Sequence, residues 1–383
     1  MLSYHCPGDL LPMQPFVPIG LLCPKAVMHQ VGLKADIRIM KTNGLVNKGL
    51  VLTLWQPQHI SPKNSVSAIN NGNNFYDHIV DAILEPDDAL VGLMTDINSV
   101  HHTIILARCL RQRSSLILVC PGCPASSSIS HLLEVFPFIN LVVREKVGIL
   151  FTELLQTLKG GRRPTGVLGV TWRYDDVIVN NADRRLIDNF DKLPIPAFAA
   201  YDMATGAPLY LDVERGCTFK YRFGATAPFW NHKYRLNSIN RIIGEMILVY
   251  DQYGLYEVSF SHDIFTCDWE WTCHFCDRLI KNHLGMTWVS STRTDLSDPE
   301  LLTKMAAAGG TDIYYDTESG SDLIQKQLQK YLDLCWSRQI VQTTAVVGIC
   351  PVIRFIVGYP METWATRQDT LLKFFDFPQV GVH

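Results

Sequence analysis

The sequence lacks an excess of charge of either sign, and it lacks any long apolar run. Lys and Arg together number 34 and Asp and Glu together 37, which gives a formal net charge of −3. Polyanionic partners are bound through concentrated positive charge, so this balance gives no reason to expect a nucleic acid or an anionic membrane surface as a partner. No apolar run reaches the roughly 18 residues that a membrane-spanning helix needs.

A secretory leader and a regular cysteine framework are also missing. The N-terminal residues MLSYHCPGDLLPMQPF contain no basic region followed by an apolar core, which is the pattern of a signal peptide. The 11 cysteines are odd in number and scattered along the chain, which argues against a secreted disulfide scaffold. We therefore expect a cytoplasmic location, in which most of these cysteines are small buried apolar side chains.

What the sequence does contain is enough apolar material for two domains. It has 383 residues, of which 47% are hydrophobic and 19% charged. Within residues 1–161, short apolar strands alternate with helical stretches such as 100–111, which predicts an α/β domain with a parallel sheet. Residues 162–206 are expected to form a connector that contains a β-hairpin and then an extended strap, because the two prolines of LPIPAF prevent regular ladder bonding.

From residue 207 to 383 the alternation of strands and helices resumes. The predicted strands are 209–214, 256–261, 287–291, 312–316 and either 342–348 or 352–358, and the predicted helices are 238–252, 268–282, 298–308, 321–338 and 364–376. Pro351 is expected to break the last strand. The pattern predicts five (βα) units with a site at the carboxyl ends of the strands. A sixth strand is not obvious, so the series is expected to be truncated.

One segment, residues 211–235, carries more information than any other. It reads LDVERGCTFKYRFGATAPFWNHKYR. Its frame resembles the cluster loop of the cobalamin-binding branch of the radical SAM enzymes, in which Arg-Gly-Cys opens a CxxxCxxC pattern and Ala-Thr-Ala-Pro-Phe-Trp follows. The three cysteine positions are occupied here by Cys217, Tyr221 and Gly224. Because a [4Fe–4S] cluster is held by cysteine thiolates, the resemblance implies the family but leaves the cluster itself in doubt.

Two strand-end motifs extend this resemblance and imply a site for S-adenosylmethionine. SFSHDIFT (259–266) contains Asp263, which the resemblance places at the amino group of that cofactor; a helix N-cap is the alternative. SSTRTD (290–295) contains Arg293, which would bind the carboxylate with both arms of its guanidinium. The alternative for Arg293 is a salt bridge with Asp295.

Two further motifs resemble the family's ribose and adenine contacts. Glu318 and Ser319 belong to a Glu-Ser-Gly-Ser turn after a strand, and the resemblance places them near the ribose, with Gly320 allowing close approach of the backbone. A helix cap would give a similar pattern. FIVGYPMETW (355–364) contains Gly358, which would shape the turn that faces the adenine.

The N-terminal half resembles a cobalamin-binding domain more weakly. LVGLMTDINSVHHTIILARCL (90–110) and LVCPGCPASSS (118–128) match its first helix and its following Gly-rich turn. The Asp-x-His-x-x-Gly motif that supplies a cobalt ligand in that family is absent. His101 and His102 stand at a helix start where they could contact the lower face of a corrinoid, and capping or surface positions are the alternative.

Three cysteines elsewhere have a spacing that metal sites use. Cys267, Cys273 and Cys276 include a CxxC pair. They fall on a predicted helix, however, and core packing is the favoured interpretation.

The leading hypothesis is a radical SAM family protein that resembles the cobalamin-dependent enzymes. The resemblance implies cleavage of S-adenosylmethionine and radical modification or methylation of a small molecule or peptide, impaired here by the loss of two cluster cysteines. The implied cofactors are S-adenosylmethionine and cobalamin, with the [4Fe–4S] cluster in doubt. The alternative is a non-catalytic regulatory module that binds S-adenosylmethionine or a corrinoid. An unrelated α/β protein is disfavoured because several motifs occur together. Together with the strand–helix alternation, the resemblance implies a Rossmann-like cobalamin-binding-type domain followed by an incomplete parallel (βα) radical SAM barrel.

Overall fold

The computed structural model of the chain describes residues 2–3, 26–30, 36–40, 51–55, 76–77, 80–81, 91–95, 100–113, 117–121, 132–144, 147–200, 209–224, 226–261 and 264–377. The chain forms two compact units. The N-terminal unit comprises residues 17–187 and 192–205, and the C-terminal unit comprises residues 1–16, 188–191 and 206–383. Among the described residues, no helix has the length and apolar character needed to cross a membrane.

The strands are numbered along the chain. They are β1 Leu2–Ser3, β2 Asp36–Met40, β3 Val51–Trp55, β4 Val91–Thr95, β5 Ile117–Pro121, β6 Leu141–Val143, β7 Val170–Tyr174, β8 Val177–Asn180, β9 Leu209–Asp212, β10 Glu214–Arg215, β11 Arg235–Leu236, β12 Glu257–Ser261, β13 Thr287–Thr292, β14 Gly310–Glu318 and β15 Cys350–Phe355. The helices are α1 Val100–Arg111, α2 Leu132–Val135, α3 Val147–Lys159, α4 Thr226–Phe229, α5 Ile239–Tyr253, α6 Trp269–Asn282, α7 Pro299–Ala307, α8 Asp322–Leu328, α9 Leu334–Val346 and α10 Trp364–Asp376.

The N-terminal unit is built on a sheet of the strands β2 to β8. Strands β2 to β6 are parallel and β7 and β8 join antiparallel at one edge, so the predicted parallel α/β sheet is confirmed. The predicted helix at 100–111 is α1, and its buried Leu106 and Leu110 belong to the same core as Val91 of β4. The described strands follow one another in chain order. They therefore contain no reversal of strand order of the kind that positions ligands in doubly wound sheets.

The expected connector, residues 162–206, contributes to both units. Its hairpin is present as β7 and β8, and it forms the edge of the N-terminal sheet through antiparallel pairing of β7 with β6. Asp175, in the turn, has a φ of 49°. Asp188–Asp191, by contrast, belong to the C-terminal unit. The strap that contains Pro194 and Pro196 carries no strand, as its prolines predict.

The C-terminal unit is built on a six-stranded sheet in the order β1, β15, β14, β13, β12, β9. Strands β9, β12, β13, β14 and β15 are parallel, and β1 pairs antiparallel with the outer edge of β15. Each parallel strand is followed by at least one helix, which confirms the predicted alternation. An aromatic cluster of Phe260, Phe265, Phe275 and Trp288 packs α6 against β12 and β13, with neighbouring ring centroids 5.2 to 6.1 Å apart.

Two predictions for this unit are wrong in detail. The helix expected over 321–338 is two helices, α8 and α9. The chain between them adopts left-handed backbone conformations at Gln329, with φ of 59°, and Tyr331, with φ of 54°, which no helix interior accommodates. Asp333 then caps α9 by accepting from the backbone N–H groups at its start.

The alternatives for the last strand are also decided. Residues 342–346 belong to α9, so the strand predicted at 342–348 is wrong, and β15 begins at Cys350. Pro351 lies within β15 and does not break it. Among the described residues, β1 pairs antiparallel with Arg354 and Phe355, and no strand pairs with that edge of β15 beside Pro351, where a missing N–H donor is tolerated.

Candidate functional site

The carboxyl ends of the parallel strands in the C-terminal unit lie at one edge of the sheet, and most of the predicted site residues are found there. Arg293 immediately follows β13, Glu318 is the last residue of β14, and Gly358 follows the end of β15. Cys217 lies in the loop that leaves β10. Asp263, predicted to follow β12, lies outside the described residues.

The cluster loop, residues 216–224, leaves a short antiparallel pair of strands, β10 and β11, in which Arg215 is opposite Arg235. Gly216 has a φ of 113°, and a Cβ there would collide with the backbone carbonyl of Lys233. Glycine is therefore required for the close approach of the two chain segments. Cys217, just after it, is buried and packs with Ala227.

Aromatic rings alternate along the cluster loop. Phe219, Tyr221 and Phe223 stack in series, with centroid distances of 5.4 Å and 5.5 Å. The intervening residues point to solvent, as expected for an extended segment with a period of two. Arg222 N donates to Leu328 O at 3.1 Å, which fastens the loop to the end of α8.

The second and third cluster positions do not fit an iron–sulfur cluster. Arg293 Nη1 donates to the Tyr221 hydroxyl. Burial raises the pKa of Tyr221 well above its usual range, and the nearby Arg293 opposes this only in part, so the side chain is a neutral phenol. Gly224 offers no ligand, and a Cβ added there would lie 3.2 Å from Cδ2 of the Tyr221 ring. One thiolate remains of the three that the family pattern supplies.

Three cysteines follow β12, Cys267 just before α6 and Cys273 and Cys276 within it. Cys273 and Cys276 are buried, and burial raises the pKa of Cys276 to about 12. Cys267 packs at the margin of the Cys217 cluster, and burial raises its thiol pKa as well. Over the part of the chain that the structure describes, no three His, Cys, Asp or Glu side chains converge as a metal site.

Arg293 is buried, with 4% of its side chain exposed, and three neighbours contact its guanidinium besides the Tyr221 hydroxyl. Its Nε and Nη2 donate to the two carboxylate oxygens of Asp295 at 2.7 Å and 2.6 Å, and Nη2 also donates to Lys330 O at 3.0 Å. The guanidinium carbon lies 4.1 Å from the centre of the Phe219 ring. The salt bridge considered from the sequence is therefore present, and the guanidinium also faces the cluster loop.

Glu318 accepts two hydrogen bonds. Lys330 Nζ donates to Oε1 at 3.0 Å and Tyr359 Oη donates to Oε2 at 3.1 Å. Both charged partners are buried, with 3% of the Lys330 side chain and 9% of the Glu318 side chain exposed. Burial lowers the pKa of Lys330, and the carboxylate of Glu318 opposes that shift. Glu318 has a φ of 70° and follows a register irregularity in β14, which turns its side chain out of the ladder.

Ser319 and Gly320 pack the turn after β14 against α10. Ser319 is fully buried, and its hydroxyl lies 3.0 Å from that of Thr370. A Cβ at Gly320 would lie 2.8 Å from Thr370 Cα and 2.6 Å from Lys373 Cβ, so only glycine fits. Packing alone accounts for both residues, and a ribose contact of Ser319 stays a prediction.

Gly358 has a φ of 101°, and Glu362 closes the turn that contains it. The Gly358 N–H and the Tyr359 N–H both donate to Glu362 Oε2, the latter at 3.1 Å. Thr363 then begins α10 with a capping box shared with Thr366. This turn is fixed by its own side chains before any ligand is present.

Two other predicted positions lie in the N-terminal unit. His101 and His102 lie in the first turn of α1, which begins at Val100 as predicted. A separate cleft of about 450 Å³ opens next to Arg293's carboxylate partner, Asp295, and is lined in part by Trp269 and Trp336.

Sequence patterns did not identify Lys330 or Tyr359 as parts of this edge. Lys330 lies between α8 and α9, in a segment predicted to be one helix, and its contact with Glu318 depends on the break there. Tyr359 was within a recognised motif, but its hydroxyl contact with Glu318 joins residues 41 positions apart.

The chain matches no protein-family profile, but it has curated relatives. It is 26% identical over 302 residues to an uncharacterised methyltransferase of Pyrococcus horikoshii, covering 77% of this chain and 66% of that protein. It is 30% identical over 273 residues to the anaerobic magnesium-protoporphyrin IX monomethyl ester cyclase of Rubrivivax gelatinosus, covering 67% and 48%. It is 29% identical over 187 residues to the cytidylyl-2-hydroxyethylphosphonate methyltransferase of Streptomyces wedmorensis, covering 44% and 35%. The match thus spans roughly a third to two thirds of these relatives' length.

Solved structures share the fold over nearly the whole chain. The radical S-adenosylmethionine methyltransferase TsrM from Kitasatospora setae, with cobalamin and a [4Fe–4S] cluster bound, matches with a TM-score of 0.71 at 13% identity, covering 95% of this chain and 68% of that one. The cobalamin-dependent S-adenosylmethionine radical enzyme OxsB matches with a TM-score of 0.69 at 15% identity, covering 94% and 50%.

Proposed function

We propose that this chain is a diverged member of the cobalamin-binding radical SAM family that keeps the S-adenosylmethionine-binding edge and lacks most of the cluster-binding set. The observation that carries the proposal is the position of Arg293, Glu318 and Gly358 at the ends of three adjacent parallel strands. Those strands occupy the half of the chain in which the family motifs occur in order.

The domain layout follows from the same resemblance. We assign residues 1–161 to a Rossmann-like, cobalamin-binding-type domain, 162–206 to a connector and 207–383 to a partial (βα) barrel, with the first residues of the chain, which include β1, joined to the C-terminal unit. His101 and His102 are the candidates for a corrinoid contact in the first domain. A cytoplasmic location stays a prediction from the sequence pattern.

The side chains at the edge have the chemistry that each part of S-adenosylmethionine requires. Arg293 is suited to the carboxylate, because a guanidinium offers paired N–H donors. Glu318 is suited to vicinal ribose hydroxyls, because its two oxygens already accept from two donors and retain further lone pairs. The fixed turn at Gly358 would face the adenine, Asp263 the amino group, and Ser319 the ribose.

The cluster is where the residues disagree with the family. When bound, a [4Fe–4S] cluster supplies the electron that cleaves S-adenosylmethionine in this family, and Cys217 alone cannot hold one. We therefore propose that reductive cleavage, and the radical modification or methylation of a small molecule or peptide that it supports, is impaired in this chain. TsrM has been solved with a tryptophan substrate, but the substrate class here remains as broad as the sequence predicted. The non-catalytic regulatory module has no observation of its own that favours it.

The binding part of the proposal is tested by calorimetric titration with S-adenosylmethionine. Glu318→Gln should weaken binding by on the order of tenfold or more, because hydrogen bonds to a charged group are lost. Asp316→Asn is the matched control: it is the same chemical change two residues earlier in β14, where the carboxylate pairs with Arg354 instead. Equal effects of the two changes, or no binding by the wild type, would refute the proposed site.

A further inference from the structure

We propose that the cluster loop acts as a clamp on Arg293 that needs no metal. In this clamp the Tyr221 hydroxyl accepts a hydrogen bond from the Arg293 guanidinium and competes with a ligand carboxylate for that donor. We call the set of Phe219, Tyr221 and Arg293 the Tyr221 clamp. The inference rests on the proposed binding of S-adenosylmethionine and concerns how access to that site is controlled.

The guanidinium of Arg293 already uses most of its hydrogen-bond donors. A guanidinium has five N–H donors. Asp295 takes two of them, the Tyr221 hydroxyl takes one and the Lys330 carbonyl takes one. A ligand carboxylate that binds with two oxygens therefore has to displace a partner that the protein already supplies.

The hydrogen-bond partners of Arg293 differ in how easily a ligand carboxylate could displace them. Asp295 is a charged, bidentate partner, and a contact of that kind is stronger than one to a neutral phenol. The Lys330 carbonyl belongs to the backbone between two helices and cannot move alone. Tyr221 is neutral and stands on a loop, so its hydrogen bond costs least to break. Burial, which keeps its phenol protonated, is consistent with this role.

Contacts of aromatic rings with each other and with cations hold the cluster loop in place. The ring centroids of Phe219 and Tyr221 lie 5.4 Å apart with an interplanar angle of 1°, and Arg293 lies over the Phe219 ring. Lys330 Nζ lies 5.2 Å from the centre of the Tyr221 ring. Cation–π and stacking contacts therefore hold the loop at the point where a second thiolate would otherwise bind iron.

The stacked rings of the loop also reach Glu318, through Phe223 and Tyr359. Phe223, the next ring in the loop, meets the edge of Tyr359 at 5.8 Å, and Tyr359 donates to Glu318. Displacement of Tyr221 would thus be transmitted along the stacked rings to the residue proposed for the ribose. The clamp covers both groups rather than Arg293 alone.

The test compares wild type with Tyr221→Phe by titration with S-adenosylmethionine in the presence of a metal chelator. The variant frees one guanidinium donor, so it should bind S-adenosylmethionine on the order of tenfold more tightly. Its midpoint of thermal unfolding without ligand should fall, since a buried donor loses its acceptor. Decarboxylated S-adenosylmethionine, which has no carboxylate to bind Arg293, should bind both proteins equally.

The chain offers a matched control in Tyr174→Phe. Arg163 Nη2 donates to the Tyr174 hydroxyl at 2.7 Å, and its guanidinium lies 3.7 Å from the ring centre, so this exposed pair repeats the chemistry of the clamp. That variant should bind like wild type. If wild type binds and Tyr221→Phe binds no more tightly, the clamp is overturned while the proposed site stands. If neither protein binds, the proposed function fails and the competition fails with it.

Discussion

Two parts of one sheet edge differ in how they have changed. At the ends of β13 and β14, the charged groups expected from the family pattern are present and are joined to protein partners, with Lys330 completing the pair at Glu318. In the cluster loop, Tyr221 and Gly224 stand at two of the three predicted cysteine positions, and the rings of Phe219, Tyr221 and Phe223 stack along the loop. The comparison teaches that contacts between side chains of this chain, including that of Tyr221 with Arg293, are enough to position the loop against the strand ends.

The largest effect that the comparison predicts is at Lys330. Lys330→Met would leave Glu318 as a buried carboxylate without its cation, and breaking such a pair typically costs about 3–5 kcal/mol of unfolding free energy. Urea denaturation followed by circular dichroism would measure it. The control is Lys304→Met, which removes an exposed lysine 3.1 Å from Asp277 and should leave stability close to that of wild type. Equal losses would mean that the strand-end pair is not special.

The second prediction restores the chemistry of the loop. The double variant Tyr221→Cys with Gly224→Cys places thiols at all three positions of the CxxxCxxC pattern, and it should gain the brown absorbance of an iron–sulfur cluster after anaerobic reconstitution. Wild type should stay colourless. Tyr221→Cys alone is the control, because two thiols do not complete the set.

One result would contradict this account directly. Wild type that binds about four irons per chain and releases 5′-deoxyadenosine would show that a cluster forms without the two missing cysteines. The comparison between the strand ends and the loop would then be wrong, because the loop would bind iron.

Much of the fold was predictable because it depends on local alternation. Helix α10 was predicted at its observed bounds, and the five parallel strands were found in order, since apolar runs and helical stretches are local signals. The break between α8 and α9 was not found, because Gln329 and Tyr331 adopt left-handed conformations that are uncommon for residues other than glycine.

The candidate site was predictable only in part, for a related reason. Strand-end motifs indicated Arg293 and Glu318, but the partners of those residues are set by tertiary packing. Tyr221 and Arg293 are 72 positions apart, and Lys330 and Arg293 are 37 apart. No periodicity in the sequence reports such contacts. The missing cysteines at the cluster positions, by contrast, were visible at once because that motif is contiguous.

The smallest effect is expected at Cys276, which tests whether the cysteines of α6 could rescue the loop. A thiol binds iron as a thiolate, and burial raises the pKa of Cys276 to about 12, which keeps it protonated near neutral pH. In the Tyr221→Cys, Gly224→Cys background, Cys276→Ala should leave the absorbance and iron content unchanged, with only a small loss of stability from the removed side chain. Cys217→Ala in the same background is the matched control and should abolish the absorbance, because it removes a thiol of the loop itself. If Cys276→Ala lowers the iron content as much as Cys217→Ala, α6 supplies a ligand, and the contrast between an ordered loop and an absent metal site no longer holds.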